Sequence, residues 1–301
     1  KYQLEDIHSR QEPLAVLQAS ESIIYGRYGY GMASFENNLE IEKNRSAYAI
    51  DHVPEGQSYF IEESEAREIF PQIHAKAIEN RVGMVRRNEN WWKFRFREPG
   101  LKGGDPKSWF VKYQKNGEND GYLRYTINDV ELNVIELIAS SHEAYSSLWR
   151  LCLDMDLVDI IKAEHRPADE ELKWMLADPR RLLEHSCDRY WVRLVDVKKA
   201  LSQRLYSVDG SLTLKVRDSF LPWNQEVVEL RSESGESSCA TSNRNPDIVL
   251  SAGDLGAVYL GGINFSTLLA AGRIEEITKG SISKANLMFS TKRNPWGFDG
   301  W

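Results

Sequence analysis

The segment Ser20-Glu21-Ser22-Ile23-Ile24-Tyr25-Gly26-Arg27-Tyr28-Gly29-Tyr30-Gly31 limits the possible folds more than any other stretch of the chain, because it packs three tyrosines and three glycines into a turn between two apolar runs. Glycine lacks a Cβ and accepts positive φ, so the backbone can bend sharply there and approach a neighbour closely. Upstream, Pro13 bounds the short apolar run Leu14-Ala15-Val16-Leu17, which predicts a buried strand leading into the turn. Downstream, the mixed apolar and polar residues 33–42 predict a strand at a sheet edge. The turn then presents its phenols at a strand end.

Length bounds what can surround this turn: 301 residues predict two domains, or three small ones, with a sizeable core. No apolar run is long enough for a membrane-spanning helix, so no membrane partner is expected. A net charge of −7 argues against the basic face that nucleic acid requires and suits a cationic small molecule. Cys152, Cys187 and Cys239 stand far apart without C-x-x-C spacing, so neither a disulfide framework nor a zinc site is signalled, and a reducing cytoplasm is the expected compartment. The six histidines show no H-x-x-x-H pattern, and no metal is expected. Leu4 and Ile7 share one helical face at the very beginning of the sequence, so the start of the protein is expected upstream of Lys1.

Further along, Ile61, Ile69, Ile73, Ala77 and Ile78 fall near helical spacing and predict a helix that Pro71 kinks or divides. Residues 109–114, 122–126 and 130–138 read as strands, with Asn116-Gly117 or Asp120-Gly121 as the first turn. Ser140 with Glu143 reads as a capping box that opens a helix, after which 158–163 predicts a strand and 169–177 a short helix. Residues 190–197 read as a strand, at whose end Asp196 caps a helix through Leu205. Strands are expected again at 212–216, 227–231 and 248–250, with a Ser-rich loop at 232–242, and short helices follow around 255–260, 265–271 and 283–290.

Two glycine-bearing stretches fail as phosphate cradles. Gly26-x-x-Gly29-x-Gly31 has similar spacing, but strand-like residues follow it where a helix is needed, so it reads as a turn. Between Gly100 and Ser108, Pro106 stands where a P-loop requires glycine before the lysine.

Ser20-Glu21 followed by Ile24-Tyr25-Gly26-Arg27-Tyr28-Gly29-Tyr30-Gly31 resembles the signature that closes the first acetyltransferase domain in the enhanced intracellular survival (Eis) family of bacterial N-acetyltransferases, within the GNAT superfamily. Leu221-Pro222-Trp223-Asn224 and the stretches 254–262 and 267–273 resemble that family's sterol-carrier-like domain. The resemblance implies an α+β chain of tandem GNAT-like domains, the first partial over 1–44 and the second over 45–187, followed by a sterol-carrier-protein-like domain over 188–301. It implies acetyl-CoA as co-substrate, an amine of a polycationic small molecule such as an aminoglycoside, or a lysine, as acceptor, and a homo-oligomer, by analogy a hexamer. The coenzyme loop of such a domain is not found here, so the cofactor-binding residues are unassigned. The rival reading is a non-catalytic binding or oligomerisation module that uses the sterol-carrier-like domain.

Acetyl transfer from a thioester to an amine requires a neutral amine, a polarised carbonyl and a proton for the departing thiolate. A phenol with a pKa near 10 keeps its proton at neutral pH and can hand it to a thiolate, whose thiol titrates near about 8.5. The resemblance places this general acid at Tyr25 and the general base at the terminal carboxylate, carried here by Trp301, with Asp299 as the fallback carboxylate. Burial among Trp296, Phe298 and Trp301 would raise a carboxylate that is otherwise too weak a base. Gln18 and Ser20 lie where family members line the acetyl and amine pocket, so both are candidate substrate contacts, although Gln18 stands where some relatives have histidine. Hydrogen bonding of a buried phenol to backbone is the bland alternative for Tyr25, and simple packing is the alternative for the aromatic tail.

Overall fold

A computed structural model describes residues 1–79, 81–96 and 107–299. The stretch between Gly100 and Ser108 falls mostly outside them, as does Trp301. Two compact units emerge, one formed by residues 36–187 and the other by residues 1–35 together with those from 188 onward.

The 36–187 unit is built on a seven-stranded sheet. Its spatial order is Gln57–Ile61, Ser108–Lys115, Glu118–Asn128, Glu131–Ala139, Ile160–Pro167, Phe35–Glu42 and Leu183–Asp188. Asn116 and Gly117, both at positive φ (51° and 83°), make the first hairpin turn, the geometry that an Asn-Gly pair favours. Glu131–Ala139 and Ile160–Pro167 run parallel, and the helix His142–Asp154 connects them with Ala144, Leu148, Trp149 and Cys152 turned into the core. Its cap is Ser141, whose hydroxyl accepts from the Ala144 N–H at 3.2 Å, rather than Ser140, which donates to the Asp120 carbonyl at 2.9 Å. Glu143 closes no capping box. It pairs with Lys115 at 2.6 Å, takes the Tyr113 hydroxyl and accepts the Gly56 N–H at 3.0 Å, which holds its carboxyl down to about 2.

Two further expectations change here. Pro71 sits within the single helix Glu63–Ile78 without dividing it, because Ala66 and Phe70 on one side and Ile73 and His74 on the other bury one continuous face. The strand Phe35–Glu42 is not at the sheet edge. That place is taken by Leu183–Asp188, whose largely exposed sequence shows no alternation to announce a strand.

In the other unit, Leu14–Leu17 and Gly31–Met32 flank Trp191–Leu194 in a small antiparallel sheet. A five-stranded sheet runs in the order Glu236–Thr241, Val227–Glu233, Gly210–Arg217, Ile248–Ser251 and Glu275–Glu276. The Ser-rich stretch expected as a loop is therefore largely an edge strand, joined through Ser234 and Gly235 at φ 54° and 83°. Sequence pattern missed it because Cys239 is the one apolar side chain it packs against the core, among mostly exposed polar residues. Asp196 caps the following helix as expected, accepting from the Lys199 N–H at 3.0 Å, and that helix ends at Ser202. Helices Ala252–Tyr259, Phe265–Ala270 and Ser281–Phe289 complete a core that includes Leu214, Leu230, Leu250, Val258, Phe265 and Phe289.

Helix Ala252–Tyr259 lies directly on the small sheet. A Cβ on Gly31 would stand 1.8 Å from the Gly253 carbonyl oxygen, and one on Gly256 would stand 2.2 Å from that of Val192. Backbone therefore meets backbone across this joint, which only glycine permits.

Candidate active site

The tyrosine segment folds as one helical turn, Ser22–Tyr25, continued by a 3-10 turn, Gly26–Tyr28, and ended by Gly29 in the left-handed region at φ 78°. The Gly29 N–H returns to the Gly26 carbonyl at 3.1 Å, and the Tyr30 N–H to the Tyr25 carbonyl at 3.3 Å. Its three phenols differ in environment. Tyr30 is buried, and burial pushes its phenol upward while the Arg193 guanidinium pulls it back. Tyr28 is exposed and packs edge-on against Phe220, with ring centroids 5.1 Å apart. Tyr25 is half-buried, its ring edge-on to Tyr30 at 6.2 Å, and its hydroxyl makes no hydrogen bond to any described residue. The backbone-bonded phenol of the bland alternative is thus not what the geometry holds.

The aromatic tail is fastened rather than frayed. Gln18 Nε2 and the Tyr190 hydroxyl each donate to the Asp299 carbonyl at 3.0 Å. Arg189 Nη2 donates to the Phe298 carbonyl at 2.7 Å, and Trp296 and Phe298 are buried. The structure thus brings two of the expected residues together, Gln18 and Asp299, through a side chain and a backbone carbonyl. Ser20 lies exposed beside the turn with no hydrogen bond to a described residue, and Trp301 falls outside the description. Trp92 serves packing: it meets His74 edge-on at 5.4 Å and carries the Arg87 guanidinium over its ring.

Two of the three glycines of the turn have no open space beside them. The space beside Gly29 is filled by the Arg193 guanidinium and that beside Gly31 by the 252–259 helix, and Gly31–Met32 continues as strand. Sequence reading passed over Arg193 and Asp218, which pair beneath the turn at 2.5 Å with neither side chain more than 2% exposed. The available signal was a charged residue inside the otherwise apolar run 190–195.

A GNAT acetyltransferase domain matches residues 83–197 and a sterol carrier protein domain matches residues 197–297. Fold and sequence together define an acetyltransferase of the GNAT class that carries a sterol-carrier-like domain, and such enzymes use acetyl-CoA. An uncharacterized N-acetyltransferase of Streptomyces coelicolor is 32% identical, the match covering 98% of this chain and 74% of that protein. The N-acetyltransferase Eis of Mycobacterium tuberculosis is 28% identical over 87% of this chain and 65% of its own length. The crystal structure of Eis1 from Mycobacterium abscessus superposes with a TM-score of 0.86 at 31% identity, covering 100% of this chain and 76% of that one. This chain belongs to the Eis-like family of GNAT N-acetyltransferases.

Proposed function

We propose that the chain serves transfer of an acetyl group from acetyl-CoA to an amine of a polycationic small molecule such as an aminoglycoside, or to a lysine side chain, with Tyr25 as the general acid. One observation carries the assignment: of the three phenols in the turn, Tyr25 alone is half-buried, and its hydroxyl makes no hydrogen bond to a described residue. Such a hydroxyl is available to donate to a leaving thiolate without first breaking an internal bond. A carboxylate of the tail, that of Trp301 or in its place Asp299, takes the proton of the attacking ammonium. The clamp formed by Gln18, Arg189 and Tyr190 holds the last described residues of that tail at the end of the strand that enters the turn. The free amine then forms the new C–N bond, the C–S bond breaks, Tyr25 protonates sulfur, and the second proton shed by the nitrogen restores the phenol. No acyl-enzyme is involved. Ser20, exposed beside the turn, is a contact for the acceptor.

Tyr25→Phe in the full-length enzyme tests this reading. Turnover is expected to fall by roughly 100-fold or more, the scale of a general acid's contribution, with KM for acetyl-CoA within about twofold. Unchanged turnover would remove Tyr25 from the mechanism.

A further inference from the structure

The buried pair Arg193–Asp218 does work that stability alone does not require. Arg193 lies on the strand Trp191–Leu194, opposite Ala15, with no exposed surface. A guanidinium withdrawn from water loses several kcal/mol of hydration, and apolar replacements of such pairs often fold as well or better. Its neighbours show that an apolar residue would suit the site: Trp191, Val195, Ala15 and Tyr30 form a hydrophobic cluster there. Only one nitrogen of Arg193, Nη2, is bonded, to Asp218 at 2.5 Å, while Nε and Nη1 are buried without a hydrogen-bond partner among the described residues.

Those two nitrogens face the tyrosine turn. A Cβ built on Gly29 would stand 3.0 Å from Arg193 Cζ and 3.1 Å from both Nε and Nη1, so the guanidinium lies against the residue that ends the turn. Asp218 is fixed in turn. It accepts the Phe220 and Leu221 N–H groups at 3.2 and 2.9 Å and the Asn224 amide at 3.1 Å. Asn224 itself donates to the Val195 carbonyl at 3.1 Å, two residues beyond Arg193. The result is a closed polar frame with one face turned to the segment that carries Tyr25.

We infer that Arg193 is a positioning residue for acetyl transfer: anchored by Asp218, it sets the turn at Gly29 and Tyr30 and thereby the Tyr25 ring packed against Tyr30. The inference rests on the assignment of Tyr25 as the general acid. Displacing a catalytic group by about 1 Å can lower turnover by about 100-fold. Loosening the frame should therefore reduce kcat while leaving donor affinity largely intact.

The test uses the full-length enzyme with Arg193→Met, and the charge-free double variant Arg193→Met/Asp218→Asn, which strands no buried charge. Thermal melting, kcat and KM are measured for each, alone and in the Tyr25→Phe background. The double variant is expected to melt within a few degrees of wild type, with kcat lowered by about tenfold or more and KM for acetyl-CoA changed by less than about twofold. In the Tyr25→Phe background the same change should lower kcat no further. A folded double variant with wild-type kcat, beside an inactive Tyr25→Phe, overturns the inference and leaves the acid assignment standing. A fall that persists in full in the Tyr25→Phe background, or a double variant that does not fold, also overturns it, since Arg193 would then act elsewhere or merely stabilise. Wild-type turnover in Tyr25→Phe overturns the acid assignment and the inference with it.

Discussion

Two buried arginines, one in each unit, are satisfied in opposite ways. Arg166, in the 36–187 unit, engages all three of its nitrogens: Nε and Nη2 reach Glu170 at 3.1 and 3.3 Å, and Nη1 reaches the Leu137 carbonyl at 2.9 Å. Tyr145 adds its hydroxyl to the same carboxylate. In the same unit, the Glu136 carboxylate gathers Arg87, Arg95 and the Tyr122 hydroxyl within 2.7 to 2.9 Å. Arg193, by contrast, spends one nitrogen on Asp218 and keeps two against the tyrosine turn. Saturated networks lock a single arrangement of a core, whereas a buried polar group left partly unanswered calls for another explanation, and here the turn proposed to carry the general acid lies against it. Burial alone therefore does not tell a structural charge from a working one.

That contrast can be broken by substitution. Arg166→Met would strand the Glu170 carboxylate in the core, and a loss of about 3–5 kcal/mol in denaturant unfolding is expected. A loss as small as that of the charge-free Arg193 variant would erase the distinction between the two arginines. The effect of Glu136 should come next and depend on pH. Burial disfavours its charge, yet Arg87 and Arg95 hold its carboxyl at about 2, below the usual 4.5. A depressed folded-state value stabilises above the unfolded one, so this contribution is complete above about pH 4.5 and disappears as pH falls towards 2. Glu136→Gln should forfeit on the order of 3 kcal/mol near neutrality and flatten stability across that acid window. A pH profile that keeps the wild-type slope there would show that the network is not coupled to folding. Smallest in stability is Gly29→Ala, where a side chain must adopt a left-handed φ at a cost of roughly 1–2 kcal/mol and press on Arg193. Its kcat should nonetheless drop by more than its melting temperature suggests, and matching losses in both would argue that the turn is only scaffold.

Features fixed by neighbours in sequence were legible before the structure. The strand Leu14–Leu17, the Asn116-Gly117 hairpin and the Asp196 cap each depend on a few consecutive residues and a local rule. What escaped depends on distant partners. Leu183–Asp188 is a strand only because the sheet offers it an edge, and Glu236–Thr241 only because Val227–Glu233 pairs with it. Choosing Ser141 over Ser140 as cap turned on which hydroxyl the Asp120 carbonyl would claim. The site shows the same division. Tyr25 is proposed from its motif, whereas the clamp from Gln18 to Asp299 spans 281 positions, and Arg193 meets Gly29 only in the folded chain.

The backbone joint between Gly31 and the 252–259 helix bears on how such a motif should be read in other sequences. Gly31 is required because a carbonyl of that helix occupies the place of its side chain, and this demand is indifferent to chemistry. A descendant that had lost acetyl transfer but kept the joint would still need glycine there, and would still look like an enzyme to any search weighted towards glycines. The tyrosine carries the opposite information, since no described residue relies on its hydroxyl. Among divergent members of the lineage, glycine therefore reports shared architecture, and under the mechanism proposed above the phenol two positions before Arg27 reports whether the reaction survives.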